Sequence, residues 1–97
     1  MLSDMILSIM AHVLARIRGV KVSEIKQQLV SDMKKHTEHG LHLKHLWQNA
    51  DDDNEVFFIF RTTDLDKARK FIDQVHKHVL ATDSNANLPQ MTFLEEI

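Results

Sequence analysis

The side chains best suited to chemistry in this sequence are histidines. In "HTEHGLHLKH" they stand at positions 36, 39, 42 and 45, each three residues after the last. Imidazole can ligate a metal or move a proton near neutral pH, and catalytic zinc needs only three such ligands plus water. Spacing argues against convergence here. If a helix ends at Gly40, His36 and His39 share its last turns and lie close together. His42 and His45 then fall on the following strand and point to opposite faces. Glu38 is the only acid close by in sequence. No metal site and no cofactor are therefore expected. His36 and His39 complement the negative end of a helix, and His42 and His45 decorate an edge strand. "NADDDNE" lacks the glycine and glutamate that a calcium loop requires at its sixth and twelfth positions, so it reads as a polar turn. His76 and His78 are expected to be a surface pair. Cysteine is absent, which excludes thiolate catalysis and disulfides and suits a reducing cytoplasm.

These residues must be held by one domain, 1–97. The hydrophobic share of 43% and charged share of 27% are those of a globular chain. The net charge of -2 contains no block of one sign, so neither nucleic acid nor an anionic membrane is an expected partner. The apolar run from Met5 to Ala15 is too short to span a bilayer and contains Ser8 and His12. No cationic residue precedes it, so it does not read as a secretory leader. Met10 is a candidate start, with residues 1–9 an extension outside the core.

"AHVLARI" (11–17) is rich in β-formers and ends at Arg18-Gly19, a turn; the strand could begin as early as Ile6. A helix follows with Ser23 as N-cap, and with Ile25, Leu29, Met33 and His36 in one stripe; Gly40 supplies its left-handed terminus. "LHLKHLWQ" (41–48), the polar turn "NADDDN" (49–54) and the apolar "EVFFIFRTT" (55–63) form a hairpin. Asp64 caps a second helix, to about Leu80, with Leu65, Ala68, Ile72, Val75 and Val79 inward. "ATDSNANLPQ" is loop, and "MTFLEE" (91–96) a last strand. The order β-α-β-β-α-β predicts an α+β fold, a ferredoxin-like antiparallel four-stranded sheet. Its first and third strands are expected to be central and parallel to each other. Two helices cover one face of such a sheet. Yet Val56, Phe58 and Phe60 point one way, and Phe57 and Ile59 the other. A second copy is the simplest cover for the open face, since an exposed phenylalanine forgoes ~1.5–3 kcal/mol of burial.

"LWQNADDDNEVFFIFRTTDLDKARKFI" (46–72) and "LPQMTFLEE" (88–96) resemble the dimeric α/β-barrel superfamily of small ferredoxin-like proteins. The pattern is an Asn-Ala-Asp-Asp turn, Asn-Glu-Val, an apolar strand and an Asp-Leu-x-Lys-Ala-Arg helix start. Many relatives have proline where Asp53 stands. The resemblance covers residues 11–97 and implies two sheets packed face to face as a barrel. That superfamily includes cofactor-independent antibiotic-biosynthesis mono-oxygenases, haem-degrading enzymes and stress-responsive barrels. The sequence is most similar to its uncharacterised group. A fold of this kind does not fix a function.

Strand parity selects candidates on the open face. His12, Leu14 and Arg16 share a face of the first strand, Phe57, Ile59 and Arg61 one of the third, and His42, Leu46 and Gln48 one of the second. Together they would line an apolar barrel cavity with a few polar groups, the usual form of a small-molecule site. Arg16 and Arg61 are expected near the same end of adjacent strands, where they would invite an anion or pair with Glu95, Glu96 or Asp64. Trp47 has the opposite parity and is expected in the core unless a bulge shifts the hairpin. The leading expectation is a homodimer binding a small apolar or aromatic molecule in the barrel. The alternatives are a cofactor-independent mono-oxygenase or isomerase using His12 or His42 as general base, and a structural or protein-interaction role without catalysis. His12 is the first candidate for catalysis.

Overall fold

The computed structural model describes residues 10–97. Residues 1–9, with the candidate extension and the early strand start at Ile6, lie outside the described residues. The elements are β1 (Ala11–Arg18), α1 (Val22–Glu38), β2 (His42–Asn49), β3 (Asp52–Thr62), α2 (Leu65–Thr82) and β4 (Gln90–Glu95). They form one sheet in the order β2-β3-β1-β4. This is the ferredoxin-like βαββαβ arrangement, and β1 and β3 are central as expected.

Their direction is not as expected. β1 and β3 pair antiparallel, with Ala11 opposite Thr62 and Arg18 opposite Glu55. The first helix returns the chain so that β1 and β2 run the same way, and the hairpin then inserts β3 between them in reverse. Every neighbouring pair in the sheet is antiparallel. Arg16 consequently sits opposite Phe57, and Arg61 opposite His12. The two arginines are at opposite ends of the face, so the expected pair of close cations does not form.

Alternation decides which side chains are covered. Val13, Ala15 and Ile17 of β1 and Val56, Phe58 and Phe60 of β3 are buried with Leu29 of α1 and with Ala68, Phe71 and Ile72 of α2. Both helices therefore lie on one face. Gly19 and Gly40 have positive φ of 76° and 78°, which lets β1 and α1 each end in a sharp reversal. Asp64 caps α2 by accepting from the Lys67 amide at 3.0 Å. The start of α1 differs from expectation. Lys21 is the N-cap, and its amide donates to Glu24 Oε1 at 2.9 Å, so Ser23 lies inside the first turn. The hairpin turn is also shorter than "NADDDN", because β3 already begins at Asp52. Asn49 Oδ1 accepts from the Asp51 amide at 2.8 Å and tightens it.

β2 carries the fold's main irregularity. Leu43 pairs with Phe60 and His45 with Ile59, so Lys44 is an extra residue. Parity reverses beyond it. Leu46 faces the core beside Phe58, and Gln48 shares that covered side opposite Val56. Trp47, opposite Phe57, moves to the open face. The expectation that Leu46 and Gln48 accompany His42 is corrected by this one bulge. The same bulge puts His42 and His45 on one face, not two.

Candidate functional site

Two surfaces of the sheet offer themselves, and they differ in chemistry. The open face is an array of cross-strand rows. His42, Arg61, His12 and Leu94 form one row, and His45, Ile59, Leu14 and Thr92 the next. Trp47, Phe57, Arg16 and Gln90 form the third. Its middle is apolar, and Trp47 and Leu94 remain 45% and 40% exposed. His45 stacks on Trp47 with ring centres 5.1 Å apart. Of the expected site residues, His12, Leu14, Arg16, His42, Phe57, Ile59 and Arg61 do share this face.

At one end of the face lies a charge cluster that sequence reasoning did not select. Arg16 Nε donates to Glu55 Oε2 at 2.6 Å, and Arg18 Nε donates to the same oxygen at 2.9 Å. Asn49 Nδ2 donates to Oε1 at 2.7 Å. Glu55 is only 5% exposed. The hydrogen bonds from Asn49, Arg18 and Arg16 hold its carboxyl at about 2, well below its ordinary 4.5. Arg16 is thus paired, but with Glu55 and not with Glu95, Glu96 or Asp64. The signal was available: antiparallel register sets the alternating Arg16 and Arg18 against a strand that starts with an acid. Arg61, at the other end, forms no ion pair among the described residues.

The covered side of the sheet holds a cleft of about 380 Å³ between the two helices and the strands. Leu41, Phe58, Phe60 and Met91 form its floor. α1 supplies Ile25, Leu29, Asp32 and His36, and α2 supplies Phe71, Ile72, Val75 and His76. None of the residues expected to line a binding cavity lines this one. Parity correctly grouped most of them, but on the face opposite the cleft.

His36 is half-buried with its edge toward Phe60, ring centres 5.1 Å apart, and toward Phe71 at 6.4 Å. Burial lowers its pKa from 6.5, and the Asp32 carboxylate one turn earlier opposes that shift in part. His76, expected on the surface, lines the cleft instead; burial lowers its pKa too, against the opposing charge of Asp73. Both rings are therefore held toward the neutral form, able to donate at one nitrogen and accept at the other. Asp32 takes the inward place expected for Met33, which is 45% exposed. The inward stripe of α1 is Ile25, Leu29, Asp32 and His36, with steps of four, three and four that follow the helical period.

The four-histidine series disperses. His36 enters the cleft, and His39 stacks on Phe71 at 4.0 Å while its Nδ1 contacts the Lys35 carbonyl at 2.9 Å. His42 and His45 lie on the open face. Among the described residues no three histidine, aspartate or glutamate side chains gather to hold an ion. Among them also, no helix is long and apolar enough to cross a membrane.

Solved structures share this arrangement. SnoaB, a cofactor-independent oxygenase from Streptomyces nogalater, superposes with a TM-score of 0.57 at 19% identity, over 92% of this chain and 91% of that one. A point mutant of the same oxygenase gives 0.56 over the same extent. A conserved protein from Methanosarcina mazei Go1 gives 0.53 at 13% identity over 96% of both chains. At such identities the likeness is one of fold. No family model and no curated protein matches the sequence.

Proposed function

We propose that the chain is a cytoplasmic homodimer that binds a small apolar or aromatic molecule, one in the helix–sheet cleft of each protomer. The observation that carries this reading is the cleft: about 380 Å³, with an apolar floor and a few polar groups on its walls. That is the size and composition of small-molecule sites. The open face then serves the dimer. Leu14, Phe57, Ile59, Trp47 and Leu94 make an apolar strip between charged ends, and two such sheets face to face would form the barrel. The likeness to SnoaB supports the fold that such a barrel requires.

A thermal-shift screen of naphthalene derivatives, quinones, fatty acids and haem tests the binding function. A ligand that occupies only the folded state raises the unfolding temperature with concentration. Saturable stabilisation by one class, lost when Val75→Trp fills the cleft, is the expected result. Stabilisation unchanged in Val75→Trp would contradict it.

A catalytic reading has one observation in its favour, the Asp32 and His36 pair lining the cleft. A neutral imidazole beside a carboxylate is suited to accept a proton from a bound ligand. In this reading the base is His36, since neither His12 nor His42 lines the cleft. Deuterium exchange into a bound ligand, abolished by His36→Gln, would mark it.

A further inference from the structure

The cleft is apolar at its floor, but its walls are one-sided in charge. Glu24 and Asp32 line it, and no lysine or arginine does. Both carboxylates belong to α1, with Gln28 between them, so they follow one another along one wall at four-residue steps. Asp32 is the telling residue. It is half-buried and occupies an inward position between Leu29 and His36, on the wall of a cleft whose lining also includes Phe58, Phe60 and Phe71. Gln28 Nε2 donates to its Oδ2 at 2.7 Å, and among the described residues it has no ion pair. Lys21, whose backbone amide donates to Glu24, has its Nζ engaged elsewhere, paired with Asp53 at 3.2 Å.

The two side-chain amides that line the cleft are engaged. The Gln28 amide goes to Asp32, and the Asn87 amide donates to the Arg18 carbonyl at 2.7 Å. What remains facing the space is an anionic acceptor and two imidazoles. A fatty acid or other carboxylate would meet like charge and no cation. We propose that the cleft selects a ligand with an apolar, ring-sized body and a cationic ammonium head, the head placed against Asp32. This rests on the cleft being the binding site, and the test separates the two claims.

Binding of 1-naphthylmethylammonium, 1-naphthylmethanol and 1-naphthoate to the full chain at neutral pH compares one body with three heads. Isothermal titration should rank the ammonium first and the carboxylate last, with about tenfold or more between them. Asp32→Asn should remove most of the ammonium's advantage and leave the alcohol within about twofold, because the amide keeps the shape and loses the charge. Naphthoate binding as tightly as the ammonium, or Asp32→Asn leaving the order unchanged, overturns the charge selection while the cleft reading stands. If none of the three binds, the cleft reading itself fails. The wild-type ranking decides the matter even if the variant does not fold.

Discussion

Arg16 and Glu55 are joined across the two central strands, Nε to Oε2 at 2.6 Å, on the face of the sheet that the helices leave open. Arg18 and Asn49 complete the carboxylate's shell. A carboxylate anchored to three side chains ties β1, β2 and β3 together at one end of the face.

That anchoring should be visible in acid. Glu55 has its pKa depressed from 4.5 to about 2, so its contribution is fully present above 4.5 and is lost as pH falls toward 2. Glu55→Gln should lower stability at neutral pH and flatten the loss between those values. Urea unfolding followed by circular dichroism across that range measures both effects. An acid limb identical to that of the wild type would show that the cluster does not act as described.

The cleft histidines act at higher pH. Burial lowers the pKa of His36 and His76 in the folded state, whereas in the unfolded chain they titrate near 6.5. The unfolded state then binds more protons, so this contribution is whole above 6.5 and declines as pH falls below it. His36→Gln should reduce the slope of stability against pH below 6.5. NMR titration of the two rings in the wild type checks the direction independently.

Phe71 closes the cleft against α1 and stacks on His39. It is buried, so Phe71→Ala should cost about 3–5 kcal/mol, the transfer of the ring plus the cavity left behind. A loss below about 1 kcal/mol in denaturant unfolding would mean that the wall collapses freely or that the ring is not packed as described.

Ile59 lies in the apolar middle of the open face. If a second copy covers that face, Ile59→Glu buries an unpaired charge and should give a monomer or an unfolded chain. Sedimentation velocity should find twice the chain mass for the wild type at micromolar concentration. A monomeric wild type, or an Ile59→Glu variant that remains a dimer, would remove the barrel.

The period-2 pattern of β1 and β3 and the helix stop at Gly40 made the order of elements legible, and with it the ferredoxin-like fold. Direction was harder. Apolar content marks β1 and β3 as central but does not say which way they run; that follows from the path through α1 and the hairpin. The bulge at Lys44 left no local mark, since a lysine suits an edge strand whether it is paired or extra. It alone exchanged Trp47 for Leu46 and Gln48 on the open face. Asp32 was legible in principle. Stepping four residues twice from Ile25 reaches Met33, whereas steps of four and three reach Asp32, and the helical period favours the second. The cleft was hidden for a broader reason. Parity sorts residues by face, but whether the helices fill the space above a face depends on how far apart they settle, which no strand pattern encodes.

Intermolecular nuclear Overhauser effects between 1-naphthylmethanol and the methyl groups of the labelled protein test the central claim most directly, because they locate the bound ring. Contacts to Leu41, Ile72 and Met91, with none to Leu14, Ile59 or Leu94, are the result expected for a ligand in the helix–sheet cleft. Contacts to Leu14 and Ile59 in their place would put the ligand inside the barrel and contradict it.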